Sequence, residues 1–87
     1  MSKKQKRLKE LFSRPPPRDF TWENLVALMA SAGFSNHCDH GGSHYIFEHV
    51  NGYRVSMSKT HPGGILKAYQ VKDAKEALIF VNEGPED

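Results

Sequence analysis

Residues 43–59 read SHYIFEHVNGYRVSMSK, and this stretch decides the fold. Two runs rich in β-branched and aromatic residues flank an Asn-Gly pair at 51–52. Such runs around Asn-Gly are the strongest short-range signal of a β-hairpin. The stretch therefore predicts two antiparallel strands joined by a tight turn.

The register of this hairpin depends on the length of its loop. A two-residue loop at the Asn-Gly pair joins Phe47 to Ser56, which mixes apolar and polar positions on both faces. A loop one residue longer, with a bulge at the glycine, pairs Phe47 with Met57 and is preferred. In that register the residues that face the helices are Tyr45, Phe47, Val55 and Met57. His44 then lies on the opposite, open face.

The segments before the hairpin predict a helix and a further strand. Thr21 is a good N-cap, an apolar stripe at helical spacing follows it, and Gly33 stands where a helix ends. A helix is therefore predicted over 22–32. Residues 34–39 are too short and too polar for a helix, so they are predicted as an edge strand, and a turn at 40–42 leads into the hairpin.

A second helix is predicted after the hairpin. The turn THPGG at 60–64 is followed by apolar residues at helical spacing, which predict a helix over 70–82. The resulting order is α-β-β-β-α. Two helices on one face of a three-stranded antiparallel sheet is the two-layer α+β architecture that this order allows.

The first eighteen residues differ from the rest in charge. They hold seven basic residues and one acidic residue, a net charge of +6, whereas residues 19–87 hold five basic and nine acidic residues, a net charge of −4. Apolar residues at 8, 11 and 12 predict a short amphipathic helix over 4–12, and three prolines at 15–17 form a stiff spacer. The chain is thus divided into a basic N-terminal arm (1–18) and a folded domain (19–87). Such an arm is typical of contact with nucleic acid or an acidic protein, and the alternative is a solvated arm that aids solubility.

Length and composition exclude several classes of protein. Eighty-seven residues, with 38% hydrophobic and 25% charged residues, are typical of one globular domain. The single cysteine, Cys38, excludes a disulfide framework, and no apolar run approaches the roughly 18 residues that span a bilayer. The chain begins without the apolar segment of a signal peptide. A cytoplasmic protein with no membrane segment is expected.

The histidines raise the question of a metal site. His37, His40, His44 and His49 lie close together in sequence, with Cys38 and Asp39 among them. No second cysteine completes a zinc-binding pattern. Strand alternation also places His37 and Asp39 on one face and Cys38 and His40 on the other. No metal site is therefore expected.

His44 has the neighbourhood that a catalytic histidine needs. It follows Gly41-Gly42-Ser43, whose glycines allow the backbone to approach a phosphate and whose serine offers a hydroxyl. An imidazole changes protonation near neutral pH, so it can take a proton from a ribose 2′-OH, or give one to a leaving oxygen, without a metal. The alternative is a hairpin turn followed by an idle surface histidine.

This arrangement resembles the HicA toxin family of bacterial type II toxin–antitoxin modules, in a longer branch with a basic N-terminal arm. The resemblance covers residues 21–81 and rests on Gly42-Ser43-His44 with Phe47, on the His61-Pro62 turn and on Tyr69-Gln70-Val71. It implies a fold like that of a double-stranded-RNA-binding domain. It also implies an mRNA endonuclease (mRNA interferase) in which His44 is catalytic and which a HicB-type antitoxin holds inactive. No cofactor is expected.

The residues around His44 give the predicted RNA contacts. Gly42, Ser43, Lys59 and Arg54 are predicted to bind RNA. His61 is a candidate second acid or base, and a turn role is its alternative. Alanine at His37 or His49 is expected to remove neither toxicity nor RNA cleavage.

Two other functions remain open from the sequence. One is a non-catalytic module of the same fold that binds double-stranded RNA by its shape. The last predicted helix holds only two lysines, Lys72 and Lys75, which is few for such a binder. The other is an interaction protein that uses its basic arm to hold an acidic partner.

Overall fold

The computed structural model describes residues 3–38, 44–59 and 64–85. Its elements run α-α-β-β-β-α along the chain. They are α1 (Lys3–Leu11), α2 (Trp22–Ser31), β1 (Phe34–Cys38), β2 (His44–His49), β3 (Arg54–Ser58) and α3 (Ala68–Phe80). The α+β class, the antiparallel three-stranded sheet and all four predicted helical and hairpin regions are confirmed. Within the described ranges, no helix is long and apolar enough to cross a bilayer.

The sheet has the order β1-β2-β3, but the hairpin adopts neither register considered from the sequence. Phe47 pairs with Val55 and Tyr45 pairs with Met57. The loop has three residues, because the His49 N–H donates to the Tyr53 carbonyl at 2.8 Å and the Gly52 N–H donates to the His49 carbonyl at 2.8 Å. The pairing differs from the preferred register by two residues, an even number, so every side chain keeps its predicted face.

Side chains within the loop explain why it takes this length. The Tyr53 N–H donates to Asn51 Oδ1 at 2.9 Å, and the Asn51 N–H donates to His49 Nδ1 at 3.1 Å. Gly52 has φ +97°, which is the left-handed conformation that closes a three-residue hairpin with a bulge. The glycine bulge was predicted correctly, but the loop begins one residue earlier than expected.

The helices cover one face of the sheet and form the core with it. The Thr21 hydroxyl accepts from the Asn24 N–H at 3.1 Å and so caps α2, as predicted. Trp22 at the start of α2 packs against Tyr45 and Phe47 of β2, with ring centroids 5.4 and 5.6 Å apart. The other buried apolar residues of the helices α2 and α3 are Leu25, Leu28, Met29, Val71, Ala74, Ala77 and Leu78. The opposite face of the sheet carries no helix among the described residues.

The start of α3 is fixed to the sheet by a buried glutamine. Gln70 is 1% exposed. Its side-chain carbonyl accepts from the Lys67 N–H at 2.9 Å, and its amide donates to the Ser58 carbonyl at 2.7 Å. The first of these bonds satisfies a backbone donor at the helix start, so α3 begins two residues earlier than predicted. The second holds α3 against the end of β3.

The amino-terminal segment is part of the folded body. Leu8 and Leu11 of α1 are 0% exposed and belong to the same core cluster as α2 and α3. Lys4 forms an ion pair with Glu83 beyond α3, with Nζ and Oε1 2.6 Å apart. The sequence placed residues 1–18 outside the domain, whereas α1 docks on it. The apolar spacing of this helix, rather than its charge, decides where it lies.

Candidate functional site

The open face of the sheet is a grid of side chains set by the strand register. Paired residues of antiparallel strands project to the same face. On this face His44 lies beside Ser58, and Ile46 lies between His37 and Ser56. A third row, two residues further along β2, contains Ser35, Glu48 and Arg54. The predicted position of His44 on the open face is therefore correct.

The His44 imidazole is free for a ligand. The residue is exposed, and within the described ranges its side chain takes part in no hydrogen bond or ion pair. It begins β2, the central strand, where it pairs with Ser58 of β3. An exposed imidazole on a rigid strand can exchange a proton with a bound substrate.

His44 lines a shallow depression at the β3 edge of the sheet, where α3 contacts β3. The depression has a volume of about 160 Å³. Its lining residues are His44, Ser56, Met57, Ser58, Tyr69 and Asp73. The hydrogen bond from Gln70 to the Ser58 carbonyl fixes the α3 side of this depression relative to the strand that pairs with His44. The depression thus brings together an imidazole, two hydroxyls, a phenol and a carboxylate.

Two of the predicted RNA-binding residues, Lys59 and Arg54, lie at opposite ends of the sheet. Lys59 directly follows Ser58, the partner of His44, and so lies at the same end of the sheet. Arg54 pairs with Glu48, four residues along β2 from His44, and its Nε lies 3.5 Å from a Glu48 carboxylate oxygen. Arg54 is therefore not brought to His44, because the register moves it to the hairpin end. Gly42, Ser43 and His61 lie outside the described residues, as do the turns at 40–42 and 60–63.

His49 has a structural role that the sequence did not reveal. Its ring packs edge-on against Phe34 at a centroid distance of 4.9 Å, and its Nδ1 accepts from the Asn51 N–H. A Cβ atom at Gly33, which has φ +92°, would stand 3.0 Å from His49 Nε2. The imidazole therefore holds the turn after α2 against the hairpin loop.

We expect His49→Ala to lower the free energy of unfolding by about 1–2 kcal/mol, because the aromatic contact and the loop hydrogen bond are both lost. Urea unfolding followed by circular dichroism measures the change. His37→Ala, at an exposed histidine of the same sheet, is the control and should shift stability by less than about 0.5 kcal/mol. Equal stability of the two variants would show that the His49 contacts contribute nothing.

Metal ligands are not clustered in the part of the chain that the structure describes. No group of three or more His, Cys, Asp or Glu side chains there is placed to hold an ion. His37 pairs with Ile46 on the open face, whereas Cys38 pairs with Tyr45 on the helix-covered face. The predicted separation of these two neighbours onto opposite faces is therefore correct.

The basic charge of the amino terminus lies away from His44. Lys3, Lys6 and Lys9 are exposed along α1, and α1 packs against α2 on the helical side of the sheet. These ammonium groups therefore do not line the open face. The lining of the depression includes the carboxylate of Asp73, and Lys59 directly follows its lining residue Ser58 in the chain.

Sequence reasoning missed Asp73 and the two serines of β3 as site residues. The serines alternate with Met57 along a strand, and their face follows from that alternation. Asp73 follows Tyr69 by four positions, a spacing that puts both on one face of a helix. Only the packing of α3 against β3 brings that face to His44.

Comparison of the chain with protein-family models, with curated proteins and with solved structures gave no match.

Proposed function

We propose that this protein is a metal-independent endoribonuclease in which His44 transfers the proton. The observation that carries the proposal is the exposed His44 imidazole, which has no partner among the described residues and lines a depression with Ser56, Ser58 and Tyr69. A general acid–base group must be open to its substrate and free of competing partners, and the exposure of His44 supports that role.

The proposed reaction is an in-line displacement at phosphorus. The His44 imidazole takes the proton of a ribose 2′-OH, and the 2′-oxygen bonds to the adjacent phosphorus as the bond to the 5′-oxygen breaks. The leaving 5′-oxygen takes a proton from water. The products are a 2′,3′-cyclic phosphate and a 5′-hydroxyl. Ser43 and the ammonium of Lys59 are proposed to position the phosphate, since a cation stabilises the negative charge that grows on its oxygens.

The resemblance to HicA toxins supplies the biological setting of this proposal. The order of α2, three antiparallel strands and α3 is compatible with the double-stranded-RNA-binding-domain-like fold of that family. We therefore propose that the substrate is mRNA and that the protein is the toxin of a toxin–antitoxin module. An acidic, HicB-type antitoxin that covers the open face and binds the basic α1 would silence it.

A non-catalytic module that binds double-stranded RNA is the second candidate, and the charge of α3 argues against it. Lys72 and Lys75 stand beside Asp73 and Glu76, so this part of the helix has no net charge. A surface that grips duplex phosphates by shape needs a basic stripe. On the open face, Arg54 is paired with Glu48, which makes it less available to a phosphate.

The proposal is tested by incubating the purified protein with single-stranded RNA in the presence of EDTA. The depression offers one imidazole and one carboxylate among the described residues, fewer than the three protein ligands of a catalytic zinc. We expect cleavage at the same rate with and without EDTA, with 2′,3′-cyclic phosphate and 5′-hydroxyl ends. Loss of cleavage that added zinc or magnesium restores, or products with 5′-phosphates, would contradict the mechanism. RNA that is bound and not cleaved would favour the second candidate.

A further inference from the structure

Tyr69 and Asp73 form the helical wall of the depression beside His44. They are four residues apart on α3, so their side chains project from one face of the helix. Tyr69 is 57% exposed, although it lies at the well-packed start of α3. Within the described residues the Asp73 carboxylate makes no ion pair or hydrogen bond. The wall therefore presents an uncovered aromatic ring and an unoccupied acceptor.

Neither residue is needed to hold the fold together. The start of α3 is fixed by Gln70, its neighbour in sequence, which is buried and makes two hydrogen bonds. The other exposed aromatic residue of α3, Phe80, is 68% exposed but stacks on Tyr53, with ring centroids 4.3 Å apart. The described residues provide no such ring partner for Tyr69. The face of the Tyr69 ring is therefore available to a ligand that binds in the depression.

We propose that this depression is a nucleobase subsite that takes an unpaired base bearing an exocyclic amino group. This inference rests on the proposed ribonuclease function and concerns the nucleotide whose 2′-OH reacts at His44. The ring of Tyr69 stacks on the base, and the carboxylate of Asp73 accepts a hydrogen bond from the amino group. Adenine, cytosine and guanine are therefore preferred to uracil.

The charge of Asp73 argues for a base rather than a phosphate in this depression. A carboxylate repels a phosphate, whereas it accepts from the amino group of cytosine and from the corresponding groups of the purines. Uracil presents two carbonyl oxygens around a single N–H, so one carbonyl faces the carboxylate unfavourably. The phosphate then lies outside the depression, and Lys59, which directly follows the lining residue Ser58, is its proposed contact.

The subsite also selects single-stranded RNA. A base can stack on a protein side chain only after it has left the stack of a helix, which is why sequence-specific RNA recognition targets unpaired nucleotides. Gln70 fixes α3 to the Ser58 carbonyl, and Ser58 pairs with His44. The Tyr69 ring and the His44 imidazole are therefore held in a fixed position relative to each other. The base is thereby positioned for its own 2′-OH to meet His44.

The test uses oligothymidylate strands that contain one ribonucleotide each, adenosine, cytidine, guanosine or uridine. Only the linkage after the ribonucleotide has a 2′-OH, so each strand reports on one base. We expect kcat/KM for the three amino-bearing bases to exceed that for uridine by about tenfold, as for one good base contact. Asp73→Asn, whose amide both donates and accepts, should reduce this preference to about twofold or less.

The matched variants separate stacking from other effects of substitution. Tyr69→Ala should raise KM for all four strands by about tenfold, and Tyr69→Phe should restore it, because stacking needs the ring and not the hydroxyl. Phe80→Ala removes another exposed aromatic of α3, far from the depression, and should leave KM unchanged. Binding of 2′-O-methyl strands, which cannot be cleaved, should follow the same ranking in fluorescence anisotropy.

Two outcomes distinguish this inference from the proposed function. In the first outcome, cleavage depends on His44 but is equal for the four bases and unchanged in Tyr69→Ala and Asp73→Asn. This result would overturn the subsite and still support the nuclease function. In the second outcome, no cleavage occurs, which would refute the nuclease function, and the binding ranking of the 2′-O-methyl strands would then test the subsite alone. Equal binding of the four strands by the wild-type protein would overturn it.

Discussion

Replacing His44 with alanine is expected to slow RNA cleavage by about a hundredfold or more, the usual effect of removing a general acid–base group. The side chain is exposed and makes no hydrogen bond or ion pair within the described residues, so its removal leaves the packing of the domain unchanged. The free energy of unfolding should therefore change by less than about 0.5 kcal/mol. Single-turnover cleavage of a labelled RNA by the folded variant measures the first effect, and urea unfolding measures the second.

His37→Ala is the matched control for this substitution. His37 is an exposed histidine of the same open face, on the neighbouring strand β1, but it does not line the depression. Its removal should leave the cleavage rate within about twofold of wild type, as for a surface change outside the site. Wild-type rates in His44→Ala would refute the mechanism. If only His61→Ala lost activity, the proton transfer would belong to the turn that follows β3.

Leu8→Ala is expected to lower the free energy of unfolding by about 2–5 kcal/mol, the range for deleting a buried leucine side chain. The leucine is completely buried although it lies in the most basic stretch of the chain. Since domains are stable by only about 5–15 kcal/mol, this single change removes a large share of the stability. Deletion of residues 1–12, which also removes Leu11, should cost more.

Thermal and urea unfolding of Leu8→Ala and of Lys6→Ala give a direct comparison on one helix. Lys6 is exposed two positions earlier in α1, so its substitution should shift stability by less than about 0.5 kcal/mol. If Leu8→Ala and Lys6→Ala unfolded at the same midpoint, α1 would not be docked. The same conclusion would follow if the protein lacking residues 1–12 unfolded at the wild-type midpoint. That result would restore the view of a separate basic arm.

Local patterns predicted most of the fold, and the errors concern the hairpin register and the docking of α1. The Thr21 cap, the stripe that follows it and the hairpin residues each depend on neighbours within a few positions. The hairpin register was wrong because the hydrogen bonds of His49 and Asn51 within the loop decide its length, and an Asn-Gly pair alone does not reveal them. The docking of α1 was missed because charge was weighed above the spacing of Leu8 and Leu11.

The candidate site also contains residues that local sequence predicts and residues that only the tertiary packing reveals. The sequence singled out His44 from its preceding residues, and the face predicted for it is correct because alternation along a strand is strictly local. Arg54 is predicted to lie near the site, whereas the register places it beside Glu48 at the hairpin end. Asp73 could not be found this way, since it meets His44 only through the packing of α3 on β3.

The ion pair between Lys4 and Glu83 has a consequence for how the chain folds. These residues are separated by 79 positions, so the contact closes a loop that includes nearly the whole chain. Contacts of such long range are slow to form, because the entropy of closing the loop must be lost before the contact is gained. We therefore expect this ion pair to form late in folding, after α1 has packed against its sequence neighbour α2. On the ribosome Lys4 remains without this partner until the segment after α3 has emerged.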